Sequence, residues 1–403
     1  MKISRKILIC GGGVAGPVCA YWLHKYGYSV VIVEKSKELR EGGQNVDIKG
    51  AGQQIIKMMG LKEAVEDQNT GECGVKFFDP DGYIAATYPK GAFGGLTADF
   101  EILRGNFSLI LYEAVKDKCD YRFGSYVTAL DEKAGYISVK FNDGTIEDFE
   151  FVICAEGVGS SSRKMVLSTE TRFRYLGAYM AFFKIPKQSG DDCWAQSIVP
   201  NQGTTITLRP GDNQMTTVLM TFLSKKPDKN IWKNQDTVRI SMLQEALKGR
   251  GIIADRVRGD LGQVNDFYFG QMMQVKASRW SKGRFVMLGD AAYCPTPFTG
   301  EGTALSLVGA YLLASEIRQS MSHTQAFDTY EALLRPYVEK SQAKLSPRII
   351  RMMHPQSAPG QWILRSILRF CASRQMQFLL RGNAARSKKK ITDDFVFPDY
   401  KKE

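Results

Sequence analysis

An apolar run from Lys6 to Cys10 enters a glycine cluster, and a stretch of helical character follows to Tyr26. A second apolar run, Ser29 to Glu34, ends in an acid. Strand, turn, helix and strand in that order predict a βαβ unit. The segment 42–50 is glycine-flanked and reads as a loop, followed by a helical pattern over 52–59. Residues 74–88 alternate apolar and polar around Asp79-Pro80-Asp81-Gly82, a hairpin signal. A helix is predicted from Glu101 to about Lys116 with Arg104 in its first turn, then short strands at 121–129 and 136–141, the turn Asn142-Asp143-Gly144 and a strand pair through 149–155. These last strands read as a β-meander appended to the first sheet. From 175 to 276 the alternation lengthens, as at 204–209 and 215–224, with turns at 200–203 and 210–213 and one helical stretch near 236–248. An antiparallel sheet inserted into the first domain accounts for that change. The run 284–290 returns to a buried strand of parallel type, and 302–319 reads as a helix.

The glycine cluster carries the first chemistry. Gly11, Gly13 and Gly16 form G-x-G-x-x-G between strand and helix. Gly11 permits the tight turn, Gly13 lets the backbone approach a pyrophosphate, and Gly16 lets helix and strand pack closely. The helix start at Val14 and Ala15 offers free N–H groups and a positive dipole end. Glu34, 18 residues after Gly16 and with Lys35 beside it, is placed to accept from ribose hydroxyls, which favours FAD or NAD over NADP.

Charge changes the picture less than its total suggests. The chain of 403 residues has a net charge of +12, but residues 340 to 390 hold twelve Lys/Arg and no acid. Removing those twelve leaves 42 basic against 42 acidic residues, so basicity belongs to the C-terminal region. Aromatic interleaving of an RNA-binding type is missing, which argues against a nucleic-acid partner. Eight cysteines without a C-x-x-C spacing read as free thiols of a reducing, cytosolic compartment. No run reaches the roughly 18 apolar residues of a membrane-spanning helix. No His, Cys and acid cluster has metal-ligand spacing, and His24, His323 and His354 read as incidental: on a helix face, in a polar loop and in the tail.

A later segment, Gly289-Asp290-Ala291-Ala292-Tyr293-Cys294-Pro295-Thr296-Pro297-Phe298-Thr299-Gly300-Glu301-Gly302-Thr303, joins a strand end to a glycine-rich helix entry through a proline-stiffened loop. Such a loop suits a planar ring, with Asp290 accepting from a ribityl chain and N–H groups after Gly300 and Gly302 facing negative charge. The bland reading of Asp290 is a turn or helix cap.

With these residues the chain resembles the flavoprotein monooxygenases of the para-hydroxybenzoate hydroxylase group over residues 1 to about 340. Between the two motifs, Glu156-Gly157-Val158-Gly159-Ser160-Ser161-Ser162-Arg163 is similar to the group's D-G-x-x-S-x-x-R element, with Glu156 in place of Asp. Within the group, the 42–50 loop, Glu101-Ile102-Leu103-Arg104-Gly105 and Gly289 to Pro295 most resemble the tetracycline-inactivating monooxygenases, or tetracycline destructases. The resemblance implies an α/β fold: a Rossmann-like FAD-binding domain (1–72, 97–170 and 275–340), an inserted antiparallel β-sheet substrate domain (73–96 and 171–274) and a basic C-terminal helical region (341–403). It implies FAD held by Gly11, Gly13, Val14, Ala15, Gly16, Glu34, Lys35, Gln44, Asp47, Arg104, Gly289, Asp290, Pro297, Gly300, Gly302 and Thr303. Candidate substrate contacts are Phe182, Gln196, Thr204, Arg209, Pro297, Phe298, Thr299 and Gly300.

The implied activity is hydroxylation and inactivation of tetracycline-type antibiotics, using NAD(P)H as a transient reductant and O2. In the group a flavin hydroperoxide carries the oxygen, so no catalytic acid or base is required. A cytoplasmic monomer acting on an aromatic polyketide is expected. Another phenolic substrate, or polyprenyl reduction on the same fold, is the alternative. Aromatic residues of the inserted sheet, among them Phe182, Phe183, Tyr268 and Phe269, are candidates for a pocket wall, half of them facing elsewhere by strand alternation. Trp362, Ile363, Ile367, Phe370 and Cys371, with Arg365 and Arg369, form an amphipathic helix. Its apolar side packs on the body, forms a lid as the resemblance implies, or adsorbs to anionic lipid.

Overall fold

The computed structural model describes residues 6–39, 43–92, 101–199, 201–211, 214–228, 231, 236–264, 267–373, 375–377 and 395–400. The strand Lys6–Cys10 lies at the centre of a six-stranded sheet, parallel to Ser29–Glu34 on one side and Val152–Cys154 on the other. Asp120–Phe123 extends the sheet beyond the former and Phe285–Met287 beyond the latter, with Ser281–Lys282 antiparallel at the edge. Ile7, Leu8, Ile9, Val31, Ile32, Val152 and Ile153 are fully buried. Helices cover both faces of such a sheet, which is why its strands read as unbroken apolar runs rather than alternations.

Parallel pairing has a positional consequence. The strands ending at Cys10, Cys154 and Met287 are adjacent and point the same way, so Gly11–Gly16, Glu156–Arg163 and Gly289–Gly302 all leave one edge of the sheet. Helices Ala15–Lys25 and Gly302–Gln319 pack together, with Trp22 and Tyr311 rings 4.8 Å apart. Gly52, in the helix Ala51–Met58, permits a third helix to close on them: a Cβ there meets Ala304 Cα at 3.1 Å. The expected meander is split. Val127–Glu132, Ile137–Phe141 and Ile146–Phe149 form a separate antiparallel sheet, while the strands flanking them join the six-stranded one.

A seven-stranded sheet has the order Phe267–Ala277, Thr171–Pro186, Met215–Leu223, Thr204–Pro210, Trp194–Ile198, Gly74–Phe78, Ile84–Pro89. Its pairs are antiparallel except Trp194–Ile198 with Gly74–Phe78. One face, with Tyr179, Phe183, Ile206, Leu208, Met220 and Phe269, is covered by helices Asp236–Leu247 and Ile252–Asp260 through Leu243, Leu247, Ala254 and Val257. The other face, with Met180, Phe182, Leu219, Leu223 and Met272, meets Phe298, Leu345, Ile349 and Ile350.

Two expectations are corrected here. Cys73 and Cys193 form a disulfide with Cα atoms 5.3 Å apart, against the reading of all cysteines as free thiols. The parallel pair of strands that follows them brings together residues 120 apart in sequence, which no local spacing displays. Cys10, Cys154 and Cys294 do behave as small buried apolar residues, their thiols pushed up first by burial. His323 opens the helix His323–Ala343 rather than lying in a loop, and His354 is buried.

Candidate active site

Each glycine of the first turn answers a different geometric demand. Gly11 has φ +111°, and a Cβ on it would lie 2.4 Å from the Ala155 carbonyl oxygen. A Cβ on Gly16 would lie 2.0 Å from the Gly11 carbonyl oxygen, so helix and strand touch there. Gly13 differs: a Cβ would point into space where the nearest protein atom is Arg104 Nη2, at 3.8 Å. The helix Ala15–Lys25 has no side-chain cap at Val14 and no acid in its first turn, leaving the N–H groups of its first residues without a side-chain acceptor and its positive end uncompensated. Glu34 is held at the edge of this turn, Oε2 accepting from Gly12 N–H at 2.8 Å and Oε1 from Ser36 N–H at 2.9 Å. Each oxygen retains a lone pair for a ribose hydroxyl. Lys35 is exposed, its Nζ 5.4 Å from the Tyr126 ring centre.

A second cluster gathers around the loop 43–50. Asn45–Asp47 pairs antiparallel with Glu101–Leu103, placing Asp47 opposite Glu101. The Gln44 carbonyl accepts from Arg104 N–H at 3.0 Å, fixing the first residue of helix Arg104–Glu113. Asp47 pairs with Lys49 at 2.8 Å, and both lie within 3.6 Å of where a Cβ on Gly300 would stand. Gly300 has φ +65° and ends the short turn Pro297–Thr299. Thr299 Oγ1 donates to the Thr296 carbonyl and accepts from Glu301 N–H, holding that turn.

Asp290 stands at the strand end, after Gly289 at φ +66°. A Cβ on Gly302 would be 3.7 Å from Asp290 Oδ1, so the carboxylate faces the start of helix Gly302–Gln319. That helix also lacks a side-chain cap and a first-turn acid, with Gly302 and Thr303 its first residues. Burial raises the Asp290 carboxyl above the usual range, partly opposed by the Cys294 thiol and Arg104. Tyr268 joins this group: its phenol is pushed up to about 12, chiefly by burial, then by Cys294 and Asp290. Yet its surface is 45 % exposed. The half-open ring, within reach of Cys294, Asp290 and Arg104, stands between the seven-stranded sheet and the Asp290 turn, and the space beside it is the cleft. The Tyr268 ring stands 5.9 Å from that of Phe182, which is paired with Leu219 across the sheet and, like Phe298, packs against the apolar cluster on this face. Sequence reasoning grouped Tyr268 with the aromatics but did not single it out.

The remaining substrate candidates separate by strand phase. Gln196 and Thr204 are not brought to this cleft. They alternate with Ser197 and Thr205 and share the helix-covered face with Ile198 and Ile206, where Thr204 Oγ1 donates to the Ala246 carbonyl and Gln196 to Gly190. Arg209 faces the cleft side but is committed to protein: Nε and Nη2 donate to Glu72 at 2.8 and 2.9 Å, and Nη2 to Glu101 at 2.8 Å. Burial works against this guanidinium's charge, but Glu101 and Glu72 outweigh it and hold it firmly protonated. Glu101 also accepts from Asn45 and Thr70. A cavity of about 410 Å³ lies elsewhere, among Arg172, Lys276, Trp280, Arg335 and Glu339, and touches none of the three turns except at Ala292 and Tyr293.

The element 156–163 turns its charges inward. Glu156 accepts from Ser160 Oγ at 2.5 Å and from Ser162 N–H and Oγ at 2.9 and 3.0 Å, beside the N-cap Ser160, whose Oγ accepts from Arg163 N–H at the start of the helix Ser161–Val166. Buried Arg163 donates to the Ala291 carbonyl at 2.9 Å and the Val158 carbonyl at 2.5 Å, tying this turn to the Asp290 turn.

Residues 4–343 match the FAD-binding domain family. A flavin-dependent monooxygenase from an unknown prokaryotic organism is 35 % identical over 344 residues, 84 % of this chain and 87 % of its own length. This chain belongs to the FAD-binding family of flavin-dependent monooxygenases. Two solved structures are similar along the entire chain. Tetracycline destructase Tet(55) has a TM-score of 0.83 and 30 % identity, covering 99 % of this chain and 100 % of that one. Tetracycline destructase Tet(51) has a TM-score of 0.80 and 28 % identity, covering all of both.

FAD fits the geometry on observations of this structure. The space open beside Gly13 admits a pyrophosphate against bare N–H groups, and Asp290 is a surrounded carboxylate whose protein donor is a weak thiol. A ribityl hydroxyl is the donor it lacks. As in the rest of this monooxygenase family, the cofactor carries the redox chemistry.

Proposed function

We propose that this monooxygenase hydroxylates and inactivates a tetracycline-type polyketide, with NAD(P)H as a transient reductant. The observation that carries the reading is the reach of the likeness to the two destructases. It continues past residue 343, where the FAD-binding family match ends, through the C-terminal helices that lie on the cleft face of the seven-stranded sheet. A flat polycycle suits a cleft with Phe182, Tyr268 and Phe298 on its walls.

FAD, when bound, supplies electron transfer from the nicotinamide and activation of O2. The chain's own residues then have limited tasks. The N–H groups at Val14 and Ala15 would hold the pyrophosphate, Glu34 and Asp290 would accept from ribose and ribityl hydroxyls, and the N-terminus of Gly302–Gln319 would stabilise negative charge on the reduced flavin. Asp47, Lys49 and Gly300 bring the 43–50 loop and the 297–300 turn together and would help hold the flavin. Phe182 and Phe298 exclude water. No residue is asked to move a proton to or from carbon.

The test is NAD(P)H oxidation by the purified protein with and without a tetracycline, with mass analysis of the drug. Stimulated oxidation and the gain of one oxygen atom support the proposal. Flavin-loaded protein that leaves every tetracycline unchanged refutes it and points to another hydroxylated polycycle. Reduction of a polyprenyl chain without oxygen gain would favour a reductase.

A further inference from the structure

The helix Ala358–Ala372 presents the wrong side to the protein for a helix whose only task is packing. Leu364, Leu368 and Cys371 lie half-buried toward the strand Ile84–Pro89, where Tyr88 Oη donates to the Leu368 carbonyl at 2.6 Å. The expectation that Trp362, Ile363, Ile367 and Phe370 pack on the body is therefore corrected. They are 69, 52, 52 and 62 % exposed. At 3.6 residues per turn these four fall within an arc of about 140°. Met352 and Met353, on the preceding helix Pro347–Met353, are exposed as well. Single exposed apolar side chains are ordinary, but four large ones on one face of a 15-residue helix mark an interaction surface.

Charge identifies the occupant. Arg365 and Arg369 follow one border of the apolar arc, and residues 340 to 390 contain twelve Lys/Arg and no acid. A second copy of the chain meeting this face by two-fold symmetry would set two helices that carry arginines and no acid against each other. A nucleic acid would satisfy the cations and leave Trp362, Ile363, Ile367 and Phe370 in water. A surface that is anionic at its rim and apolar beneath satisfies both. We infer that this helix lies in the headgroup boundary of an anionic lipid bilayer, with Trp362, Ile363, Ile367 and Phe370 inserted and the arginines among the headgroups. Contact is peripheral: no helix among the described residues is long and apolar enough to cross a membrane. The inference stands apart from the identity of the substrate.

The experiment is cosedimentation of the FAD-loaded full chain with vesicles of phosphatidylcholine alone and of phosphatidylcholine mixed with phosphatidylglycerol, at low and raised salt. Preferential binding to the anionic vesicles is expected, weakening with salt and falling about fivefold for each of Arg365→Gln and Arg369→Gln. Trp362→Ser with Phe370→Ser loses binding while keeping the flavin spectrum and the thermal midpoint, because both side chains are exposed. Equal binding to both vesicle types overturns the inference, as does binding that survives the double serine variant. A dimer in sedimentation velocity that the double variant dissociates, or tighter binding of duplex DNA than of vesicles, overturns it too.

Discussion

Replacing Arg209 by Met separates two accounts of that residue by the size and pH dependence of one number. Glu72 and Glu101 have side chains 0 and 1 % exposed, and Arg209 supplies three hydrogen bonds to them. Removing the cation leaves two carboxylates in a site built around one positive charge. Breaking a buried pair in this way costs about 3–5 kcal/mol at neutral pH. Burial already raises the Glu101 carboxyl, with Arg209 opposing the rise. In the variant that opposition is gone and the carboxyl rises further. An acid whose folded pKa exceeds its unfolded value binds a proton in the folded chain while the unfolded chain has lost it. Stability therefore falls as pH rises through that window and is fully present below the unfolded pKa.

The deficit of Arg209→Met is accordingly larger at pH 8 than at pH 5.5. Arg209→Lys recovers part of it, since one ammonium cannot reproduce the planar fork that spans both acids. Urea unfolding followed by far-ultraviolet circular dichroism measures each difference. The structural account is refuted by a deficit below about 1 kcal/mol at pH 8, the range of an exposed pair. A tenfold rise in KM with unchanged stability would restore Arg209 to the substrate.

Four further outcomes are expected. Gly13→Ala folds normally but binds FAD more weakly, by about 1–3 kcal/mol in a titration of apoprotein, whereas Gly16→Ala yields little folded protein because its Cβ would lie 2.0 Å from a carbonyl oxygen; equal behaviour of the two would contradict the geometry. Asp290→Ala stabilises the apoprotein by removing a half-buried carboxyl whose pKa burial raises and weakens FAD by about 1.5–3 kcal/mol, so a variant with unchanged flavin affinity would reduce Asp290 to a turn residue. His354, whose ring bonds Thr221 Oγ1 at 2.7 Å and the Ile350 carbonyl at 2.9 Å, has its pKa lowered by burial. The unfolded chain then takes the proton first, so stability is full above about pH 6.5 and declines as pH falls below it; His354→Asn should flatten that decline, leaving the share of His323, which burial lowers in the same way. Thiol titration of the denatured, unreduced protein should count six of the eight cysteines, and all eight after reduction.

Some of the site was legible because its demands are local. Gly11 and Gly16 are required by atoms within the same βαβ unit, and the buried parallel strands announce themselves as unbroken apolar runs. Strand phase was harder. Alternation says that one of Gln196 and Ser197, and one of Thr204 and Thr205, faces the cleft. Which one depends on where the helices Asp236–Leu247 and Ile252–Asp260 pack, and on a register shift between Tyr175 and Tyr179 in the long strand Thr171–Pro186. The amphipathic C-terminal helix posed the same difficulty: its pattern has two sides, and Tyr88 rather than composition decides which is turned inward.

What escaped the sequence altogether has one origin. The pairing of Trp194–Ile198 with Gly74–Phe78 is the parallel exception in an antiparallel sheet. It brings Cys73 to Cys193, and the segment just before it carries Glu72 to Arg209 across 137 residues and Thr70 to Glu101 across 31. Glu101 in turn pairs with Asp47, beside Lys49 and the open face of Gly300. Residues 70–73 are thus fastened at three points, by a hydroxyl-to-carboxylate hydrogen bond, a buried ion pair and a disulfide, and they connect the seven-stranded sheet to the strand pair that positions Asp47. The geometry on the two sides of the cleft is coupled through that short segment, by contacts among residues that have no proximity along the chain.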